Sequence, residues 1–140
     1  MRLTLSLFLT LLTAIFTTHA EDSLITTKII SFKEISPSES LVLKRYGPSG
    51  QNADSALPCA VFFFGGGWSG GDISHFADQA EHLAKRGMVA ICAQYRTRSS
   101  HNVPPNVCLM DAKSAIRYVK TNAKELGIDP DRLAVGGGSA

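Results

Sequence analysis

The sequence predicts an α/β fold in which helices flank a mostly parallel sheet. Two apolar runs, CAVFFF (residues 59–64) and MVAICAQY (residues 88–95), have no polar face, as expected for strands covered on both sides. A segment with helical spacing of apolar residues follows each run. The predicted order is therefore strand, strand, strand, helix, strand, helix, strand, and this alternation is typical of βαβ crossovers.

The first two strands are predicted ahead of this alternation. LITTKIISF (24–32) is rich in β-branched residues, and SLVLKRY (40–46) alternates apolar and polar residues. Pro37 and Ser38 between them are typical of a turn. GPSGQNADSALP (47–58) is expected to be a loop.

The two helices are predicted from apolar spacing and from the residues at their ends. Asp72 can cap the first helix and Gly87 follows it, while Pro105 suits the first turn of the second and Gly127 is expected to close it. RTRSSHNVPPN (96–106) is predicted as a loop and DPDR (129–132) as a turn. LAV (133–135) is predicted to start a last buried strand that runs into GGGSA.

Composition indicates a globular chain with no preference for nucleic acid. The 140 residues are 44% hydrophobic and 19% charged, which suits one domain. The formal charge is +2 and no Lys/Arg cluster occurs, so no nucleic-acid partner is predicted.

Residues 1–20 have the pattern of a secretory signal peptide. Arg2 is followed by a mostly apolar run (3–16), and Thr18-His19-Ala20 matches the small residues of a cleavage site. The alternative is a transmembrane anchor, but the run is shorter than the roughly 20 apolar residues of a span. We expect a secreted or periplasmic protein without a stable membrane anchor, whose mature domain occupies residues 21–140.

The three cysteines indicate neither a metal site nor a complete disulfide set. Export permits disulfides, but an odd number leaves one of Cys59, Cys92 and Cys108 unpaired within the chain. Cys92 lies inside an apolar run and is expected to be a buried small hydrophobe. No pair has metal-ligand spacing, so no metal and no cofactor is predicted.

Ser139 has the sequence setting of a catalytic nucleophile. A nucleophilic serine must protrude toward substrate, which a sharp strand-to-helix turn with small flanking residues achieves. Residues 137–140, GGSA, supply the first four positions of that G-x-S-x-G turn. A phosphate loop would need a Lys-Ser or Lys-Thr pair, which is missing. A dinucleotide fingerprint stays open, although nothing else supports it.

A second glycine cluster follows the third strand. Acyl transfer places negative charge on the carbonyl oxygen, and preorganised main-chain N–H groups stabilise that charge. FFFGGGW (62–68) places three glycines where such a loop supplies a donor, since glycine lets the backbone approach a substrate closely. A plain glycine-rich turn is the alternative, and the strand-Gly-x-Ser pattern downstream favours an oxyanion loop.

Three segments together resemble the α/β-hydrolase superfamily. They are FFFGGGW, QYR (94–96) and DPDRLAVGGGSA (129–140), and DAKSAIRYVK (111–120) resembles the helix before the nucleophile strand. Within the superfamily the chain is similar to the carboxylesterase and acetylesterase branch, related to hormone-sensitive lipase and to secreted acetyl- and feruloyl-esterases. The resemblance covers most of the chain after about residue 40. It implies that residues 21–140 are the N-terminal part of an α/β-hydrolase domain, truncated just after the nucleophile.

The resemblance also assigns roles to single residues. It implies that Ser139 is the nucleophile and that the N–H groups of Gly66, Gly67 and Ala140 form the oxyanion hole. Phe64 departs from the family, which usually has a histidine immediately before the three glycines. That substitution puts the geometry of the oxyanion loop in question.

Three other positions match the framework of the family rather than its catalytic groups. These are Tyr95, Arg96 and Asp111. For Arg96 we expect a structural ion pair.

The acid and the base of the predicted triad are not found before Ser139. In this superfamily they follow the nucleophile, so both would lie beyond Ala140. His75 and His82 are expected to face solvent, and His101 lies in a predicted loop that does not match the base. We therefore expect the 140 residues to be inactive and poorly folded alone, with the strand before Ser139 beside the third strand as an unprotected edge.

These observations favour a secreted serine esterase with an acyl-enzyme on Ser139. Its predicted substrates are small-molecule or carbohydrate esters with short acyl groups, acetyl esters of carbohydrate among them. Two alternatives stay open: a serine peptidase of the same fold, and a noncatalytic binding protein on a hydrolase scaffold.

Overall fold

The computed structural model describes residues 24–139. The predicted signal peptide and Ala140 lie outside the described residues. Five strands form a single sheet: β1 (Ile25–Ser36), β2 (Glu39–Pro48), β3 (Leu57–Phe63), β4 (Val89–Ala93) and β5 (Ile128–Gly137).

The sheet has the spatial order β1-β2-β4-β3-β5. β2 pairs antiparallel with β1 and with β4, whereas β3 pairs parallel with β4 and with β5. Among the described strands, only β2 therefore runs against the others. The predicted fold class is confirmed, as is the position of the strand before Ser139 next to the third strand.

Helix α1 (Ala77–Lys85) ends as its flanking residues predict. Asp72 accepts a hydrogen bond from the Ser74 N–H at 2.8 Å and caps a 3-10 turn, Ile73–Phe76, that leads directly into α1. At the other end Gly87 has φ +85°, and its N–H donates to the Ala84 carbonyl. This left-handed glycine ends the helix in a Schellman arrangement.

A short helix, α2 (Arg98–His101), lies where the sequence predicts a loop. Thr97 and Ser100 exchange side-chain and main-chain hydrogen bonds in a capping box at its start. The prediction missed α2 because a four-residue helix is too short to display an apolar period.

Helix α3 (Pro105–Thr121) ends before the predicted boundary at Gly127. The side-chain amide and the main-chain N–H of Asn122 both donate to the Tyr118 carbonyl, at 2.8 and 2.9 Å. Residues 122–127 form a turn, which Gly127 completes at φ +67°. Gly127 therefore ends the turn that follows α3, and not the helix itself.

β5 begins five residues before the predicted LAV strand. Leu57 aligns with Ile128, whereas Cys59 aligns with Leu133, so residues 129–132 bulge out of the ladder. Asp129 accepts hydrogen bonds from the Asp131 N–H and from Arg132 within this bulge. The predicted DPDR turn is therefore an irregularity inside the strand.

Helices cover both faces of the sheet. Val89 and Ile91 of β4 pack on the α3 side, while Ala90 and Cys92 pack with α1.

All three cysteines are buried and free, and burial raises the thiol pKa of Cys59 to about 12 and that of Cys92 to about 11. Within residues 24–139, no helix is long and apolar enough to span a membrane.

Candidate active site

The glycine loop and Ser139 emerge at the same edge of the sheet. β3 and β5 are parallel neighbours, and Phe63 aligns with Gly137 at their carboxyl ends. A Cβ on Gly65 would lie 2.0 Å from the Gly138 oxygen and 2.6 Å from the Ser139 oxygen. The two backbones therefore touch, and only glycine fits at position 65.

Ser139 has a backbone conformation that non-glycine residues rarely adopt. Its φ is +54°, in the left-handed region, and its side chain is exposed. Such strain is typical of the sharp turn that presents a nucleophile, and it persists only where surrounding structure enforces it.

The Gly66 N–H donates to the Ser139 carbonyl oxygen at 2.9 Å. In this conformation Gly66 is therefore not a free donor for an oxyanion. The Gly67 N–H has no hydrogen-bond acceptor among residues 24–139. Ala140, the third predicted donor, lies outside the described residues.

The loop after these glycines is held by α2. The Arg98 N–H donates to the Trp68 carbonyl at 3.0 Å, and the Ser99 N–H donates to the Ser69 carbonyl at 2.8 Å. Trp68 itself has φ +62°. Sequence reasoning missed this support because it missed α2, although the Thr97/Ser100 pair carried the N-cap signal.

Phe64 packs on Tyr95 at the base of the loop. Their rings stack with centroids 4.1 Å apart and planes inclined by 13°, and the Tyr95 hydroxyl donates to the Phe64 carbonyl. Burial raises the pKa of Tyr95 above its ordinary value. An apolar stack thus supports the glycine loop at the position where a histidine was expected.

Asp111 of α3 forms ion pairs with residues of two other chain segments. Its buried carboxylate pairs with Arg96, which follows β4, at 2.8 Å and with Lys33 of β1 at 2.6 Å. Burial acts to raise the pKa of Asp111, but hydrogen bonds from Arg96 and then Lys33 outweigh it and hold the pKa below its usual value. The structural ion pair predicted for Arg96 is confirmed.

Two cavities flank Trp68. The first, of about 440 Å³, is mostly apolar and runs beside Ser139 between β5 and α3; its lining includes Phe63, Phe64, Tyr95, Leu109 and Val135. The second, of about 410 Å³, adjoins Gly67 and is lined in part by Ser69, Arg98 and Asn102. An apolar groove and a more polar cavity thus meet at the glycine loop.

The described histidines lie apart from Ser139. His75 and His82 are exposed, as predicted. His101 ends α2, where its Nε2 lies 2.8 Å from Glu39 and its Nδ1 lies 2.6 Å from the Ser100 hydroxyl. None of the three lines the groove beside Ser139.

Comparison with known proteins decides the family. The model of the BD-FAE family matches residues 43–140, which include both glycine clusters and Ser139. The chain belongs to the BD-FAE family.

Two curated relatives of this BD-FAE protein are named as hydrolases. It is 39% identical to carboxylesterase NlhH of Mycobacterium tuberculosis over 85 residues, which are 60% of the chain and 26% of the relative. It is 34% identical to an AB hydrolase superfamily protein of Schizosaccharomyces pombe over 68% of the chain and 28% of the relative. The match therefore spans about a quarter of each relative's length.

The fold agrees with a solved esterase. A thermophilic esterase of Thermogutta terrifontis superposes with a TM-score of 0.77 at 42% identity, over 81% of the chain and 40% of the esterase. Further structures of that esterase contain propionate or butyrate, and another is phosphorylated by paraoxon. The resemblance of this BD-FAE chain to the carboxylesterase branch of the α/β-hydrolases is confirmed.

Proposed function

We propose that these residues belong to a serine esterase that hydrolyses carboxylic esters through an acyl-enzyme on Ser139. The observation that carries the proposal is the contact between the two glycine clusters. An exposed serine at φ +54° lies against a loop that offers the Gly67 N–H, next to an apolar groove. Nucleophile and oxyanion donors need this proximity, because one carbonyl group must reach both.

In the proposed reaction the Ser139 hydroxyl oxygen attacks the ester carbonyl carbon and its proton passes to a base. The alcohol leaves with a proton, and water then releases the acid from Ser139. We expect the base and its acid partner in sequence beyond Ala140. Gly67 and Ala140 are the proposed oxyanion donors, and Gly66 joins them only if its N–H releases the Ser139 carbonyl.

The ligands of the solved esterase and the polar cavity beside Gly67 support the proposed substrate class. The propionate and butyrate bound to the Thermogutta esterase favour a short acyl group. The cavity with Arg98 and Asn102 suits a polar alcohol such as a carbohydrate. Acetyl esters of carbohydrate combine a short acyl group with a polar alcohol.

The proposed enzyme acts outside the cytoplasm. This part of the proposal rests on residues 1–20 alone, whose charged start, apolar run and small-residue site match a cleaved signal peptide. N-terminal sequencing of the exported protein should give Glu21 as the first residue. An exported protein that still carries residues 1–20 would contradict this part of the proposal.

The test uses the full-length protein, the variant Ser139→Ala and the control Ser31→Ala on the exposed part of β1. A fluorophosphonate probe should label wild type and Ser31→Ala on the peptide that contains Ser139, but not Ser139→Ala. Short acyl ester turnover should follow the same pattern. Peptide turnover without ester turnover would indicate the peptidase alternative, and a folded protein without labelling would indicate a binding protein.

A further inference from the structure

A cavity of about 320 Å³ lies on the α3 face, at the end of the sheet opposite Ser139. Thr26 near the start of β1 and Leu126 just before β5 mark this end. Its polar lining consists of Thr26, Lys28, Arg45, Gln51, Asn52 and Glu125, with Tyr118 among the other lining residues. The esterase proposal makes no use of it.

Arg45 brings a buried positive charge to this cavity. The residue is only 7% exposed, and burial lowers its pKa from the ordinary value. Its Nη2 donates to the Leu126 carbonyl at 3.0 Å and to the Gln51 side chain. Within the described residues no carboxylate forms an ion pair with it. A buried guanidinium without a counter-charge is costly unless an anion reaches it.

Lys28 adds a second positive charge at the same place. It aligns with Arg45 in the antiparallel ladder of β1 and β2, so both side chains lie on one face of the sheet. Like charges directly opposite each other destabilise a strand pair. In the described part of the chain Lys28 has no ion pair either.

Two glycines make room for this arrangement. A Cβ on Gly47 would lie 2.8 Å from Arg45 Nη1 and 2.8 Å from Gln51, and a Cβ on Gly127 would lie 2.1 Å from the Gln51 amide nitrogen. The Gln51 amide donates to the carbonyls of Leu126 and Gly127 at 3.0 and 2.9 Å. The backbone at Gly47 and Gly127 therefore lies close to the guanidinium and its amide partner.

We propose that Arg45 and Lys28 form a binding site for a small oxyanion, with Asn52 as a neutral hydrogen-bond donor beside it. Phosphate and carboxylate groups share the required chemistry, because two oxygen atoms can bridge a guanidinium and an ammonium group. The bound anion neutralises the cross-strand repulsion and ties β1 to β2.

Glu125 lines the same cavity and opposes an incoming anion. It forms no ion pair with Arg45 or Lys28, so it does not occupy the position between them. Removing its charge is therefore expected to strengthen anion binding.

The experiment measures anion binding by calorimetric titration of the full-length protein with inorganic phosphate and, separately, with acetate at pH 7 and low ionic strength. The variants are Lys28→Gln and Glu125→Gln, and Lys113→Gln on the exposed face of α3 is the control with the same change in charge. Arg45 is left intact because its substitution endangers folding. The phosphate and acetate titrations decide which oxyanion the site prefers.

We expect one anion per chain. Lys28→Gln should weaken binding about fivefold and Glu125→Gln should tighten it about fivefold, whereas Lys113→Gln should change it by less than about twofold. The unfolding temperature should rise with the anion in wild type and less in Lys28→Gln. Equal weakening in Lys28→Gln and Lys113→Gln, or no binding of either anion, overturns the proposal. Loss of esterase activity in Ser139→Ala leaves these titrations unchanged, so the two proposals fail separately.

Discussion

Arg96 and Asp111 meet in a two-point ion pair: Nε lies 2.8 Å from Oδ2 and Nη2 lies 2.9 Å from Oδ1. The Arg96 N–H also donates to Oδ2 at 3.2 Å. The carboxylate is fully buried, while the Arg96 side chain is partly exposed. This pair fixes the chain segment between β4 and α2 to the middle of α3.

We predict that Arg96→Gln destabilises the fold by about 3 kcal/mol, the low end for breaking a buried pair, because Lys33 still faces the carboxylate. Lys33→Gln should cost less, since Arg96 keeps both of its contacts. Urea unfolding measures both. The control Arg117→Gln on exposed α3 should change stability by less than about 0.5 kcal/mol. Equal small effects for all three variants would contradict a stabilising role of the pair.

The lowered pKa of Asp111 predicts that the folded protein loses stability in acid. Its pKa is lower in the folded state than in the unfolded chain, so its contribution is fully present above the unfolded pKa of about 4. The contribution is lost as pH falls from there through the folded pKa. Unfolding free energies between pH 7 and pH 3 should fall less steeply for Asp111→Asn than for wild type. Parallel curves would show that other carboxylates, such as Asp72 and Asp129, dominate the acid response.

Gly65→Ala is predicted to separate the glycine loop from the nucleophile turn. Its new Cβ would meet the Gly138 oxygen at 2.0 Å, which requires the two backbones to move apart. We expect a loss of ester turnover of about 100-fold or more, the range seen when one oxyanion donor is lost. Gly50→Ala is the matched control: its φ is +76° but nothing lies within 4 Å, so only conformational strain of about 1 kcal/mol is expected. Similar activity in both variants would contradict the close contact at Gly65.

The Phe64–Tyr95 stack should contribute a measurable coupling energy. Phe64→Leu, Tyr95→Leu and the double variant form a double-mutant cycle, and we expect a coupling of about 0.5–1.5 kcal/mol for a stacked pair. Chemical denaturation supplies the unfolding free energies. The pair Phe32 and Tyr118, with centroids 6.3 Å apart, is the comparison and should couple more weakly. Additive effects at Phe64 and Tyr95 would show that the two side chains stabilise the protein independently and not through their stacking.

Local sequence signals predicted the elements that carry apolar patterns. The apolar runs at residues 59–64 and 88–95 became β3 and β4, and Gly87 ends α1 through its left-handed backbone. Parallel pairing followed from the alternation of strands and helices. These signals reside within single segments, so no distant contact was needed to interpret them.

Contacts between distant segments were not predictable in the same way. Nothing near Gly66 in sequence indicates that its N–H binds the Ser139 carbonyl, because that contact depends on the register of β3 and β5. No glycine marks the end of α3 at Thr121, and the prediction followed Gly127 further along the chain instead. The Lys28–Arg45 juxtaposition likewise depends on strand register.

The pairing of β3 with β5 also constrains when the site can form. Cys59 and Leu133 align across this ladder, so about 70 residues of intervening chain must close into a loop before the glycine clusters meet. During synthesis β3 and β4 leave the ribosome well before β5, and they can pair first. The glycine loop therefore lacks its partner backbone until the segment before Ser139 has left the ribosome. We therefore expect the edge that carries Gly65 and Ser139 to assemble late in folding, and variants that weaken it should slow the appearance of the proposed activity more than the formation of the sheet.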